Sequence, residues 1–269
     1  MIAYKKEKKK LLKFEIHICD HCNLNCKGCD HFSPLAEKKF TDIITFEKDL
    51  KRIAELFGDR VARIHLLGGE PLLAPNLADY IKIARSIFPN YKNTVITILT
   101  NGILLKDQDE EFWTACKECK IKILITQYPI KLDYQKIIQE IQAHDVDGAF
   151  FNDITKAKKL YQVKISQAVG EEAAGRRFLN CEDANKCIML KEGKLYTCTL
   201  IPNIEHFNRY FKTSYFPCEK DFIDIYKASS ADEILEFLSS PPSFCKYCER
   251  DGNEILEWEV SKKERSEWA

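Results

Sequence analysis

Neither sign of charge prevails in this chain, because forty-one Lys and Arg balance forty-one Asp and Glu. The only dense run of one sign, KKEKKK from Lys5 to Lys10, reads as a solvated lead-in rather than a binding arm. Without a basic face, the electrostatic footprint of a nucleic-acid binder is missing. Long hydrophobic runs are missing too: no stretch approaches the roughly 18 apolar residues that mark a membrane helix, and the first residues hold no apolar signal region. The expectation is a cytoplasmic protein with no nucleic acid and no membrane partner. Apolar residues as such are plentiful, at 45% of 269, enough to bury a large core.

What the chain has in excess is cysteine, twelve in all. Disulfides rarely persist in a reducing compartment, so metal binding or redox chemistry is the leading use for some of them. They are also clustered: Cys19, Cys22, Cys26 and Cys29; then Cys116 and Cys119; then Cys181, Cys187, Cys198, Cys218, Cys245 and Cys248.

Up to about residue 170, strand and helix signals alternate. FEIHI (14–18) alternates apolar with polar residues and runs into the first cysteine loop. TFEKDLKRIAELFG follows as a helix with Thr45 as its cap and Gly58 as its stop. RIHLL (63–67), TVITILT (94–100) and IKILIT (121–126) read as further strands, with helices at 76–88, 108–119 and 134–144, the last capped by Asp133. Weaker strand signals follow at GAFF and QVKIS. Such alternation implies a parallel sheet covered by helices, and about six strands suit an α/β fold of the partial (β/α)6 TIM-like barrel kind, with the chemistry at the carboxyl ends of its strands. Beyond residue 170 the rhythm breaks into a hairpin turning at Glu192-Gly193 and a helix with a Ser230/Glu233 capping box. The expected division is a lead-in (1–13), a barrel (14–170) and a cysteine-rich extension (171–269).

A zinc site made from Cys19/Cys22 and Cys26/Cys29 is disfavoured, since such pairs are usually a dozen or more residues apart. The alternative set is Cys22, Cys26 and Cys29, spaced C-x3-C-x2-C in one loop. Three thiolates can hold three irons of a 4Fe-4S cluster and leave the fourth open to an exogenous ligand. Cys19 continues the alternation of Glu15 and His17, opposite Phe14, Ile16 and Ile18, and reads as a lumen-facing supporting residue. Cys116 and Cys119 share a helix face with Phe112 and read as buried small hydrophobes. His31 and Phe32 could reach the site, while His65, His144 and His206 read as structural.

The triplet resembles the cysteine signature of the radical S-adenosylmethionine (radical SAM) superfamily, and two further motifs agree. GGEP, Gly68 to Pro71, follows the second strand, and TNG, Thr100 to Gly102, ends the third. A small departure is Gly28 before the last cysteine, where the family often has an aromatic residue. The resemblance implies that Cys22, Cys26 and Cys29 hold the cluster and that Gly68, Gly69, Glu70, Pro71, Thr100 and Asn101 line the SAM site. The two glycines would let the backbone approach a ligand closely. Reductive SAM cleavage would then give a 5'-deoxyadenosyl radical that abstracts hydrogen from a substrate.

The second cysteine group resembles the shortened, or twitch, form of the SPASM extension. That implies an auxiliary 4Fe-4S cluster on Cys181, Cys198, Cys245 and Cys248. Cys187 stands as an alternate, since a turn at Glu192-Gly193 sets it opposite Cys198. Zinc at this site is the open rival. No cysteine follows Cys248, so one auxiliary cluster is expected. Four protein thiolates suit electron transfer, so the function expected is net oxidation of a small molecule or sugar derivative. The alternatives are a peptide or protein substrate, epimerisation or rearrangement with SAM regenerated, and a non-catalytic iron-sulfur or zinc protein. A flavodoxin- or ferredoxin-type electron donor is implied, and no catalytic base is legible.

Overall fold

Strand β1 (Leu12–Cys19) is central, because both of its edges are used. The computed structural model describes residues 5–7, 10–152, 164–249 and 257–269. After β1 come α1 (Ile43–Phe57), β2 (Val61–Gly68), α2 (Leu77–Ile87), β3 (Val95–Thr100), α3 (Glu110–Glu118), β4 (Lys122–Thr126), α4 (Tyr134–Ala143) and β5 (Asp147–Asn152). The order β5-β4-β3-β2-β1 is parallel throughout, the helices being the crossovers such pairing requires. The α/β partial barrel read from the sequence is the fold.

Strand phase sorts the side chains. Phe14, Ile16 and Ile18 pack with Ile64, Leu66, Ile96, Ile98, Ile123 and Ile125 in the core beneath the helices, to which α1 adds Phe46, Leu50 and Ile53. Glu15, His17 and Cys19 take the opposite face, as their alternation predicts. Across the sheet Glu15 is in register with His65, and His65 with Thr97. Gly58 does end α1, at φ 52°, but its cap is Asp42, whose carboxylate accepts from the Thr45 backbone N–H and hydroxyl. The helix therefore starts one residue after Asp42, two ahead of Thr45.

The later elements are β6 (Lys164–Ile165), α5 (Glu171–Asn180), β7 (Met189–Lys191), β8 (Lys194–Tyr196), α6 (Leu200–Phe211), β9 (Phe222–Asp224), α7 (Ala231–Leu238) and β10 (Cys248–Glu249). Of the strand expected at QVKIS, residues 162–163 lie outside the described residues, and Lys164–Ile165 form β6, which pairs antiparallel with β10. The hairpin does turn at Glu192-Gly193, both with positive φ (49° and 73°), as a two-residue turn of the primed type demands. It is not separate from the barrel. β7 adds in parallel to the free edge of β1, and β8 and β9 continue one eight-stranded sheet. Buried Asp49 of α1 secures the turn, accepting from the Gly193 N–H at 2.8 Å and the Tyr226 hydroxyl at 2.6 Å. At α7, Ser230 caps the Glu233 N–H, while the Glu233 carboxylate returns to Ser229, one residue earlier than a capping box would have it.

The basic lead-in is only partly solvated. Lys6 donates its backbone N–H to Ser239 and its ammonium to the Cys181 and Ala184 carbonyls, and it also sits over the Phe178 ring. Among the described residues, no helix is long and apolar enough to cross a membrane.

Candidate functional site

The loop after β1 and the ends of β2, β3 and β4 enclose a cavity of about 270 Å³. Cys22, Cys26 and Cys29 line it together with Gly68, Gly69, Glu70, Thr100 and Asn101, so the two motifs and the cysteine triplet face one space. Pro71 lies just behind, opening a short buried 3-10 turn.

The glycines also serve an approach within the chain itself. A Cβ on Gly68 would stand 2.1 Å from the Cys19 carbonyl oxygen, and one on Gly69 would stand 2.1 Å from that of His21. Their absence of side chains lets the ends of β1 and β2 close against each other, which fixes the base of the cysteine loop. The Gly69 and Glu70 N–H groups donate to those same two carbonyls. Cys19, buried, spends its thiol on the Glu70 carbonyl at 2.9 Å, so it supports the loop and stays off the cavity.

Glu70 holds the second and third strand ends together. It is 1% exposed, and its carboxylate accepts from the Leu72 N–H (3.1 Å), the Thr100 hydroxyl (2.7 Å) and the Asn101 N–H (2.9 Å). Burial raises its pKa to about 7 despite these three bonds. Asn101 extends the link, donating from Nδ2 to Asn23 at 2.7 Å, inside the cysteine loop. Burial first, then the neighbouring Glu70 and the other two thiols, pushes the Cys22 thiol up to about 12. A thiol so placed keeps its proton until a metal displaces it.

Three residues that the sequence did not offer complete this region. Tyr128, after β4, is half-buried beside all three cysteines, and desolvation plus their charge keeps its phenol protonated far above the ordinary range. Trp268, fully buried, donates from Nε1 to the Cys29 carbonyl at 2.8 Å. The carboxyl-terminal segment carrying it also crosses the loop through Lys27 N–H to Glu259, Ser261 N–H to Asn25 and a Cys26–Val260 bridge. Asp20 sits under the loop, where the His17 hydrogen bond, Lys191 and His206 hold its carboxyl low against the opposing effect of burial. His17 is neutral, lowered to about 3 by burial, and its Nε2 meets Nδ1 of the cavity-lining His31 at 2.7 Å. Phe32 instead turns into a second core with Phe207 and Trp268. Cys116 is in the main core, with Cys119 packed against it.

A smaller cavity of about 40 Å³ gathers the later cysteines: Cys181 at the end of α5, Cys198 after β8, and Cys245 and Cys248 around a 3-10 turn. Burial and the proximity of the other three raise the Cys245 thiol well above its ordinary value. Cys187, the alternate, is not among them. The chain turns at Asp183, whose carbonyl accepts from the Lys186 and Cys187 N–H groups, and Cys187 lines the first cavity while Cys198 lines the second. Cys218 is exposed and apart from both sites.

A profile of the Radical SAM superfamily matches residues 16–138, the stretch that carries every one of the first cavity's signature residues. This is a radical SAM domain. Among curated relatives, the GTP 3',8-cyclase of Campylobacter jejuni is 29% identical over 100 residues, 37% of this chain and 30% of the cyclase. That of Alkaliphilus oremlandii is 31% identical over 107 residues, 40% and 31% respectively. The chain thus spans about a third of the length of the curated relatives it matches. BtrN, solved in complex with AdoMet and 2-DOIA, superposes with a TM-score of 0.55 at 16% identity, covering 93% of this chain and 98% of BtrN. Native anSMEcpe with bound AdoMet gives 0.50 at 13% identity, covering 87% and 82%. Both likenesses speak to the fold, and the BtrN match extends it through the carboxyl-terminal region.

The cofactors of radical SAM domains are a 4Fe-4S cluster and SAM, and the residues fit them. Cys22, Cys26 and Cys29 converge from one loop on one cavity, with Cys19 engaged elsewhere and Cys187 on another part of the cavity wall. Four other thiols close around the second space.

Proposed function

We propose that this chain is a radical SAM enzyme oxidising a small molecule or sugar derivative, with Cys22, Cys26 and Cys29 holding the cleaving cluster. Gly68, Gly69, Glu70, Pro71, Thr100 and Asn101 form the SAM side of the cavity. Cys181, Cys198, Cys245 and Cys248 hold an auxiliary 4Fe-4S cluster, in an extension (171–269) continuous with the barrel sheet. When bound, the cluster and SAM supply a 5'-deoxyadenosyl radical able to take a hydrogen atom from an unactivated carbon.

The chain's own part is positional. Glu70 clamps the β2 and β3 ends so that GGEP and TNG keep their spacing, and Asn101 ties them to the cysteine loop through Asn23. Trp268 covers one side of the loop, and Tyr128 lies beside its cysteines. The observation that carries the oxidation reading is the convergence of four cysteines on a second, closed space, where a fully thiolate-ligated cluster suits electron transfer. A flavodoxin- or ferredoxin-type protein is the proposed electron donor, and the cytoplasm the proposed location.

The test supplies deuterated candidate substrates to the anaerobically reconstituted enzyme. Deuterium in 5'-deoxyadenosine, with one deoxyadenosine formed per oxidised product, supports the reading. Many turnovers per SAM would instead indicate rearrangement. A redox-neutral outcome has one observation in its favour: the Cys187 thiol lines the first cavity, where it could return a hydrogen atom and give an epimer.

A further inference from the structure

Thr197 follows β8, immediately before Cys198, and lines the second space together with Cys181, Cys198, Cys245 and Cys248. It is 1% exposed. Its carbonyl accepts from the Asn185 N–H at 2.9 Å, but its Oγ1 is buried with no hydrogen-bond partner among the described residues. A hydroxyl buried and unpaired is costly, so a position that keeps one beside four thiols calls for an acceptor. The sulfurs of a cluster held there would supply it.

Lys6 reaches the same site from the other end of the chain. Its half-buried ammonium donates to the Cys181 carbonyl at 2.5 Å and the Ala184 carbonyl at 3.1 Å, and it lies within electrostatic reach of the Cys181 and Cys245 thiols. Its backbone N–H, bonded to the Ser239 carbonyl at 2.8 Å, and the Phe178 ring beneath it hold it in place. Both side-chain acceptors are neutral, so the ammonium brings its charge to the back of one cluster ligand. Other charges act here in both senses: Arg177 and Asp183 line the space, Lys186 is near Lys6, and Asp221 acts on Cys245.

We propose that Thr197 and Lys6 tune the auxiliary cluster as an electron acceptor, the Thr197 hydroxyl donating to one of its sulfurs and the Lys6 ammonium acting from behind Cys181. This deepens the oxidation reading and rests on it. A substrate carbon radical that releases one electron to this cluster and one proton to water becomes the oxidised product. The oxidised form of a flavodoxin- or ferredoxin-type protein then takes the electron onward. Receiving the electron adds one negative charge to the site. A hydrogen bond to sulfur and a nearby cation both favour that charge, so each raises the reduction potential.

The experiment is an EPR-monitored redox titration of the reconstituted full-length protein, run on the holoenzyme and on the Cys22/Cys26/Cys29→Ala variant, where the remaining cluster is the auxiliary one. Expected in Thr197→Val and in Lys6→Met is a reduction equilibrium about tenfold less favourable, which for one electron is a midpoint about 59 mV lower. Thr197→Ser restores the donor and Lys6→Arg the charge, and both return toward the wild-type midpoint. Lys5→Met removes a charge that pairs instead with Glu236, and leaves the midpoint unmoved. Midpoints unchanged or raised in Thr197→Val and Lys6→Met, or lowered equally by Lys5→Met, overturn the proposal. Should Lys6→Met release the iron, Lys6 is a scaffold residue and its half of the proposal falls, while Thr197→Val, of equal size, decides the other. Zinc without iron on the four cysteines would remove the auxiliary-cluster reading and this proposal with it. An intact cluster with an unmoved midpoint defeats the proposal alone.

Discussion

The Thr100 hydroxyl donates to the Glu70 carboxylate at 2.7 Å, joining the ends of two parallel strands that the sequence separates by a helix and two loops. With the Asn101 N–H on the other oxygen, this one buried acid fixes both motif segments around the cavity. Replacing Glu70 by Ala leaves the Leu72 and Asn101 N–H groups buried without an acceptor. The expected cost is about 2–4 kcal/mol, read as a fall in melting temperature, with SAM affinity weakened in the same variant. Glu70→Gln keeps the shape and one acceptor and should cost less. Unchanged melting and SAM binding in Glu70→Ala would show that the clamp has no role.

Iron content divides the cysteines. The wild type should bind roughly eight irons after anaerobic reconstitution. Cys26→Ala and Cys198→Ala should each lose about four, from different sites, as a 4Fe-4S cluster missing one ligand is released. Cys187→Ala should keep all of them, because its thiol lies in the first cavity and apart from the four-cysteine space. Zinc in place of iron at the second site would appear as a wild type with half the iron and one equivalent of zinc.

Much of this was legible in the sequence. Strand phase put Glu15, His17 and Cys19 on one face because a period of two leaves no choice once Phe14, Ile16 and Ile18 are buried. The C-x3-C-x2-C spacing and the two strand-end motifs are local signals, and they converge in space. What stayed hidden depends on contacts distant in the chain. Trp268 reaches Cys29 across 239 positions, and nothing around it marks the partner. The addition of β7 to β1 was equally invisible, since a three-residue strand carries little pattern. That Cys187 lines the first cavity was not legible either, because the paired register ends at Met189 and the segment before it turns. That the GGEP glycines also let the ends of β1 and β2 close was hidden, because a sequence does not say which backbone they let approach.

Trp268→Ala tests the cover over the cysteine loop. Removing a fully buried indole that packs on Phe32 and Phe211 should cost about 3–5 kcal/mol. The loop also loses its bond to the Cys29 carbonyl, so iron should be lost faster in air than from the wild type. Trp268→Phe restores the packing without the donor. If it retains iron as the wild type does, the hydrogen bond is dispensable.

Stability of the metal-free chain should fall as pH rises from about 6.5 to 8. Burial raises Glu15 to about 8 and Glu70 to about 7, so the folded state holds protons that the unfolded state has released above about 4.5. That contribution is full below the unfolded value and is lost as pH passes the folded one. Below 6.5 it is opposed by buried His17 (about 3), His65 (about 4) and His206 (about 4), which stay neutral while their unfolded counterparts take up protons. The acids therefore act alone only above 6.5. Denaturant titrations at pH 6.5, 7.25 and 8 should show the fall, and Glu15→Gln should flatten most of it.

The central claim is that three cysteines in one loop hold a cluster that cleaves SAM. It is tested most directly by incubating the reconstituted wild type with SAM and a strong reductant without oxygen, beside a Cys22/Cys26/Cys29→Ala variant. The account predicts 5'-deoxyadenosine from the wild type and none from the variant, with the variant keeping the auxiliary iron. No deoxyadenosine from an iron-replete wild type, or equal amounts from both proteins, would contradict it.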